Sequence, residues 1–469
     1  MKALLILLVA SCLPMALAHD YVVTVSDDGQ RLAVRAELAS PARIEVATSR
    51  GARQLRQIRR CDSDESLSVR RGRVRTPEHC VSYSVELSNS ASSARVRARY
   101  ASVRDIVMSP HLWLLLPDDD RTRIRVSFVL PPGINVSVPW DPVPARSRDA
   151  LSVAVPDTSR IESYEFYNRQ ISSNAVSVIG RFEHDTIAVP GGELRVAFLR
   201  TRHPPATAKL KRWLSDAARN VSRSHGKFPM RSTQVVVVPV NDRAAEPVPF
   251  GHVIRNGGEA VQFFVDTAWN LDAFLGDWTA THEFSHLLMP YVRDRWVSEG
   301  FASYYQNVLM ARGGVYTPEM AWRKLHEGFG RGRLSAPGLS PRSASMRNGG
   351  LMKMYWSGAA LALIGDVRLR ELTNGEQTLD ELMRHMRLCC LPSRKAYSDR
   401  EFFTLLDSKT EHTVFTDLYR TYANAAGFPD VGAVFTRLGI RTGARLELVD
   451  AELSAMRDAM MESVEANDR

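Results

Sequence analysis

The chain has 469 residues, 44% of them hydrophobic and 24% charged. That is enough for about two to four domains that each bury a core, which excludes a small disulfide-stapled module and a disordered chain. The net charge of +9 is spread out, with local concentrations in RQLRQIRR (53–60) and VRRGRVR (69–75); neither run is interleaved with aromatic side chains, so nucleic acid is not an expected partner.

The basic runs are read as solvated strand faces and turns, or alternatively as a patch drawn to an anionic envelope surface. The opening MKALLILLVASCLPMALAHD has a lysine, an apolar run and the small-x-small site Ala16-Leu17-Ala18. This is the layout of a secretory signal peptide, so residues 1–18 are expected to be removed and the mature chain to be periplasmic or secreted. Val9-Ala10-Ser11-Cys12 also reads as a lipoprotein signal. Anchoring at Cys12 is disfavoured because Leu13, Pro14 and Met15 remain apolar. No later stretch has the ~20 apolar residues of a membrane span. Cys61, Cys80, Cys389 and Cys390 remain, an even number suited to an oxidising compartment. A Cys61–Cys80 bridge is expected, removing roughly 3 kcal/mol of chain entropy from the unfolded state. Adjacent Cys389 and Cys390 leave open a vicinal disulfide, two thiols or pairing elsewhere.

From residue 19 to 200 the chain reads as strands: YVVTV, RLAVRAEL, ARIEVAT, CVSYSVEL, RIRVSFVL and ELRVAFL, rich in β-branched residues and separated by Asp, Gly, Pro and Ser. An all-β N-terminal domain over 19–200 is expected, as a sandwich or an extended sheet. Lys209 to Ser224 then shows helical spacing, with Leu210, Trp213, Leu214 and Ala217 on one face. QVVVVPV (234–240) has the continuous apolar run of a buried strand, and GGEAVQFFV (257–265) is a further strand opened by a glycine turn. Helices are expected near 273–289, 298–311, 352–372, 377–388, 399–409 and 450–465. Strands followed by helices argue α+β, with a catalytic subdomain over 205–310 and a helical C-terminal subdomain over 311–469.

THEFSH (281–286) carries His282 and His286 four apart, on one face of the predicted helix, where a cation can bridge their imidazoles. Asp277 can cap this helix and Pro290 stop it, while Ala280, Phe284 and Leu287 form an apolar stripe opposite the histidines. Catalytic zinc takes three protein ligands. RDRWVSEGFASYYQN supplies Glu299 at the start of the next predicted helix, and Gly300 and Ala302 would let that helix lie close to the first. The 12 residues between His286 and Glu299 cover the ~10 Å between packed helices. Glu283 falls beside the metal without binding it, placed to take a proton from the attacking water.

HEFSH followed by WVSEGFASYY resembles the gluzincin metallopeptidases, in which a Glu on a following helix is the third zinc ligand. MYWSGAALALIGDVRLREL is similar to the Tyr-x-x-Gly-Ala segment of aminopeptidase N-like and glycyl aminopeptidase-like members, and HGKFP before a strand resembles them too. The resemblance implies a thermolysin-like zincin catalytic domain with one zinc per chain. It also makes Tyr355, three residues before Gly358, the phenol that donates to the oxyanion. Those exopeptidases carry Gly-x-Met-Glu-Asn on an edge strand; here the corresponding stretch is taken as Gly257-Gly258-Glu259-Ala260, with Glu259 receiving the substrate's free amine. His252 in FGHVIR is read as a loop histidine, with substrate contact as the alternative.

The expected protein is thus an exported zinc metallopeptidase acting on peptides or proteins, with aminopeptidase preferred over endopeptidase activity. A non-catalytic envelope-binding protein on the same scaffold is the rival. Such a relative should have lost its base or its oxyanion donor, and here Glu283 and Tyr355 are both present.

Overall fold

The structure, a computed structural model, describes residues 18–45, 51, 53–70, 73–74, 78–87, 103–118, 122–167, 175–201, 206–240, 244–255, 258–393, 395–443 and 445–462. Residues 1–17 of the expected signal peptide lie outside these. The mixed α+β architecture read from the sequence is what forms, in two compact units. One comprises residues 1–88, 110–134 and 140–171; the other comprises 89–109, 135–139 and 172–469.

The first unit is built on a seven-stranded sheet of β1 (His19–Val25), β2 (Arg31–Ala42), β3 (Leu55–Arg60), β4 (Glu78–Glu86), β5 (Arg123–Leu130), β6 (Asp141–Val143) and β7 (Arg160–Tyr167). Their spatial order is β6-β7-β5-β1-β2-β4-β3, with β1 parallel to β5 and antiparallel to β2. Along β2 the residues alternate between buried Leu32, Val34, Ala36 and Leu38 and more exposed neighbours, the period of two that a sheet with one covered face imposes. Trp113, Phe128, Trp140 and Phe166 form an aromatic cluster in this unit, the Trp140 and Phe166 rings stacked at 4.5 Å. Cys61 is bonded to Cys80, joining the end of β3 region to β4.

The second unit holds a five-stranded sheet: β8 (Glu183–Val189), β9 (Gly192–Phe198), β10 (Ser232–Val240), β11 (Phe250–Ile254) and β12 (Ala260–Asp266), in the order β8-β9-β10-β12-β11. Strands 183–198 therefore leave the N-terminal domain in which the 19–200 boundary placed them. They pair with β10 and share its core. The apolar run in β10 is buried on both faces, as expected of an unbroken Val-rich strand. Val235 and Val237 join the helical core with Trp213, Phe263 and Phe284. Val236 and Val238 point the other way, to Val107, Val178 and Phe182, of which Val107 and Val178 belong to a small three-stranded sheet.

The helices that follow are α1 (Thr207–Ser222), α2 (Leu271–Gly276), α3 (Thr279–Ser285), α4 (Arg295–Arg312), α5 (Pro318–Leu334), α6 (Leu351–Leu372), α7 (Leu379–Cys389) and α8 (Asp399–Asp407), with further short helices to Met461. Cys389 and Cys390 are bonded to one another at the end of α7. One helix and one subdomain boundary in this region differ from the sequence reading. The helix expected over 273–289 is divided at Asp277 and Trp278, and its last turn, His286–Leu288, is a 3-10 turn. The 205–310 and 311–469 subdomains form a single core, because α4 packs against α6 backbone to backbone: a Cβ on Gly358 would overlap the carbonyl oxygen of Trp296. Among the described residues, no helix is long and apolar enough to cross a membrane.

Candidate active site

Helix α3 carries His282, and the 3-10 turn that continues it carries His286. The inner face of this helix and turn is set by Ala280, Phe284 and Leu287, all fully buried. Phe284 meets Phe228 and Phe263 edge to face at 5.5 and 5.7 Å. Asp277 accepts a hydrogen bond from the Thr279 N–H at 2.8 Å, so it serves the first turn of α3 although Trp278 occupies the cap position. Burial pushes the Asp277 carboxyl up to about 6, against the hydrogen bonds from Thr279.

Edge strand β11 lies directly on the outer face of α3. A Cβ at Gly251 would come within 2.6 Å of Glu283 Cγ and 2.8 Å of Thr279 Cγ2, so this close approach requires glycine. The Val253 backbone hydrogen-bonds the Glu283 carboxylate. His252, expected in a loop, is on this strand, its ring 6.1 Å from Phe250.

Glu299 lies in the second turn of α4, which begins earlier than the helix expected from 298. Gly300 does not face α3, as the sequence reading had it. A Cβ there would overlap Gly358 on α6. The small pair thus brings the third carboxylate and Tyr355 together, one from each helix.

His282 Nε2 is 3.4 Å and His286 Nε2 3.5 Å from the same oxygen, Glu299 Oε2. The ligating atoms of the three residues all lie within 4.8 Å of one another. The two histidine–carboxylate separations are longer than the ~2.8 Å of a charge-assisted hydrogen bond. They match the roughly 3.4 Å between neighbouring donors that tetrahedral zinc imposes at ~2.0–2.2 Å from each. Two imidazoles and one carboxylate are also the donor set of catalytic zinc sites, so the residues fit the ion.

The remaining ring nitrogens are held as well. His282 Nδ1 is 3.2 Å from Gln306 Oε1, and His286 Nδ1 is 3.2 Å from Ser298 Oγ. Donation of Nδ1–H to these acceptors leaves both Nε2 lone pairs facing the cluster. Glu299 Oε1, the oxygen turned away from the histidines, accepts from Arg295 Nη2 at 2.8 Å. Burial alone would raise the Glu299 carboxyl, but His282 and His286 outweigh it and hold it well below the usual carboxylate range.

Glu283 is buried beside the cluster. Burial pushes its carboxyl up to about 7 against the opposing pull of His282, with Glu299 adding to the rise. The Tyr355 ring lies over His282 at 6.1 Å and 26°. Burial, reinforced by Glu299, raises its phenol well above the ordinary value, so the hydroxyl remains a donor at neutral pH. Trp278, 39% exposed, meets the His282 ring edge to face at 5.5 Å.

The stretch expected to receive a free amine is placed differently. Gly257 lies outside the described residues. Gly258 has φ +120°, and a Cβ there would overlap the Pro139 carbonyl. Glu259 is buried and paired with Arg255, Nε to Oε2 at 3.2 Å and Nη1 to Oε1 at 3.3 Å. Arg255 in turn donates to the carbonyls of His286 and Met289. The ion pair ties the β11–β12 turn to the end of α3, and the strand beside Glu283 is β11, not the stretch that opens β12.

Residues 268–347, which contain both histidines and Glu299, match the sequence profile of the M61 glycyl aminopeptidase family. The gluzincin resemblance is borne out. The same fold appears in solved structures. An aminopeptidase N family protein from Idiomarina loihiensis superposes with a TM-score of 0.60 at 14% identity, over 90% of this chain and 78% of that one. An M1 zinc metallopeptidase mutant from Deinococcus radiodurans, bound to a Tyr-Ser-Ala substrate, gives 0.52 at 12% identity, over 88% and 94%. The M1 zinc metallopeptidase of the same organism, without the mutation, gives 0.51 at 12% identity, again over 88% and 94%. At these identities the likeness is one of fold. No curated protein matches the chain by sequence. Family segment and fold together support a zinc peptidase hydrolase.

Proposed function

We propose that this is an exported zinc-dependent metallopeptidase, holding one zinc per chain on His282, His286 and Glu299 and releasing residues from the N-terminus of peptides. The observation that carries the reading is the convergence of three ligand atoms within 4.8 Å, with the buried carboxylate of Glu283 and the half-buried phenol of Tyr355 beside them. Zinc in this site supplies a positive charge that polarises the scissile carbonyl and makes water acidic enough to lose a proton near pH 7. Glu283 takes that proton, and the hydroxide oxygen bonds to the carbonyl carbon. The same proton then passes from Glu283 to the departing amine nitrogen as the C–N bond breaks. A carboxyl held near 7 suits both transfers at neutral pH. Tyr355 donates its O–H to the carbonyl oxygen while negative charge collects there. The outer edge of β11 offers backbone groups to an extended peptide, placing its carbonyl near Glu283.

Export is supported by the N-terminal leader pattern, and the aminopeptidase preference by the glycyl aminopeptidase profile. The pairing of Glu259 with Arg255 favours a second reading, cleavage within the chain. One set of measurements separates these. The purified protein should bind one equivalent of zinc, and Glu283→Gln should retain it while losing about 10²–10⁴-fold in turnover. Cleavage of free-amine peptides but not their N-acetylated forms identifies an aminopeptidase, and cleavage of both an endopeptidase. Turnover unchanged in Glu283→Gln would sink the reading.

A further inference from the structure

Arg295 is a conspicuous cation at the rim of this site. It stands at the first position of α4, with 58% of its side chain exposed, while Glu299 one turn on is only 13% exposed. Its contact with Glu299 Oε1 at 2.8 Å employs one of the five N–H donors of a guanidinium. It also interacts with the Tyr355 phenol and acts electrostatically on Glu283, so it borders both the proposed base and the proposed oxyanion donor.

Helix stability does not explain the position. A cation in the first turn opposes the helix dipole, and Arg followed four residues later by Glu is the less favourable order for such a pair. The charge is more usefully understood from the site. A divalent ion held on His282, His286 and Glu299 would offset the carboxylates there, and Arg295 would add a further positive charge at the rim. A carboxylate approaching this rim would find a half-exposed fork able to bind it in a bidentate fashion. Glu259, a carboxylate that could have received a cation, is already paired with Arg255.

We propose that Arg295 forms a substrate subsite for a carboxylate, supplied either by an acidic side chain or by the C-terminus of a short peptide. This rests on the peptidase reading above. In it Arg295 shares its guanidinium between Glu299 Oε1, which it steadies, and the substrate anion, which it selects. The subsite lies on the Tyr355 side of the cluster, so an anion held there also fixes how far the peptide extends past the cleaved bond.

The test uses the full zinc-loaded protein and two peptide pairs. Ala-Ala-Ala as free acid or C-terminal amide reads the terminal carboxylate; Ala-Glu-Ala amide against Ala-Gln-Ala amide reads the side chain. In the wild type, the acid member of at least one pair should show kcat/KM about tenfold or more above its neutral partner. Arg295→Gln should bring that ratio close to one, and Arg295→Lys should restore part of it. Equal cleavage of both members of both pairs by the wild type overturns the proposal. So does a preference that survives in Arg295→Gln. An equal loss for acid and neutral peptides in Arg295→Gln, with faster zinc transfer to a chelator, overturns it in favour of a residue that only positions Glu299. Calorimetry with Glu283→Gln and with the double variant Glu283→Gln/Arg295→Gln provides the same comparison without turnover. Tighter binding of the acid peptide that is lost in the double variant supports the subsite even if the wild type cleaves nothing, a result that would count against the peptidase reading alone; equal binding overturns it.

Discussion

Gly300 on α4 and Gly358 on α6 are packed backbone to backbone, so tightly that a Cβ on Gly300 would overlap the Gly358 Cα. The contact sits one residue from Glu299 and three from Tyr355, so the separation of two helices sets the distance between the proposed metal ligand and the proposed proton donor. Gly300→Ala must force α4 and α6 apart. We expect it to destabilise the fold by about 1–3 kcal/mol and to lower kcat in the protein that remains folded. Denaturant unfolding followed by kinetics on the folded fraction checks both; an Ala variant with unchanged stability and turnover would contradict this packing.

Tyr355→Phe removes one hydroxyl and leaves the ring over His282. The expected loss is about 10²–10³-fold in kcat, as for an oxyanion donor, with KM and zinc content little altered. A loss confined to KM would move Tyr355 from transition-state stabilisation to ground-state binding.

Gln306 and Ser298 face the Nδ1 atoms of His282 and His286 at 3.2 Å each. Gln306→Leu and Ser298→Ala should each weaken zinc binding by about 10–100-fold, read by competition with a chromogenic chelator. Gln306→Glu, which supplies a charged acceptor to the same nitrogen, should tighten it. Unaltered affinity in both Gln306→Leu and Ser298→Ala would show that these contacts do not orient the rings.

Asp277 lies away from the metal cluster and is raised by burial from 3.8 to about 6. The folded protein therefore holds this proton more tightly than the unfolded chain. Its stabilising contribution is complete below about pH 4 and is lost as the pH rises through 6. Asn keeps the acceptor for the Thr279 N–H and cannot ionise. Asp277→Asn should accordingly gain stability relative to the wild type between pH 4.5 and 7, measured by urea unfolding at both; a difference that is constant with pH would refute the assignment.

Much of the site is legible in the sequence because its parts are local. The four-residue spacing of His282 and His286 puts both on one helix face wherever that helix packs. Glu299 and Gln306 are two turns apart on α4, so a helical reading could have found Gln306 as a neighbour of the ligand. Arg295, four residues before Glu299, was visible by the same rule. No such regularity marks Gly251. It matters because a strand from elsewhere in the chain descends onto Glu283, and the same is true of Gly300, whose partner lies 58 residues away.

The sequence by itself determined the periodicities: alternating strands before residue 200, an unbroken buried strand at 234–240, amphipathic helices after 272, and a histidine pair with a carboxylate within reach. Those follow from backbone geometry, which repeats every two or 3.6 residues regardless of context. Only the tertiary structure decided that β8 and β9 belong with the five-stranded sheet and that β11 is the strand beside Glu283. It also decided that Glu259 is taken by Arg255 and that Arg295 stands at the rim. Each depends on which surfaces meet across long stretches of chain, and packing and charge pairing settle that only once the whole core has closed.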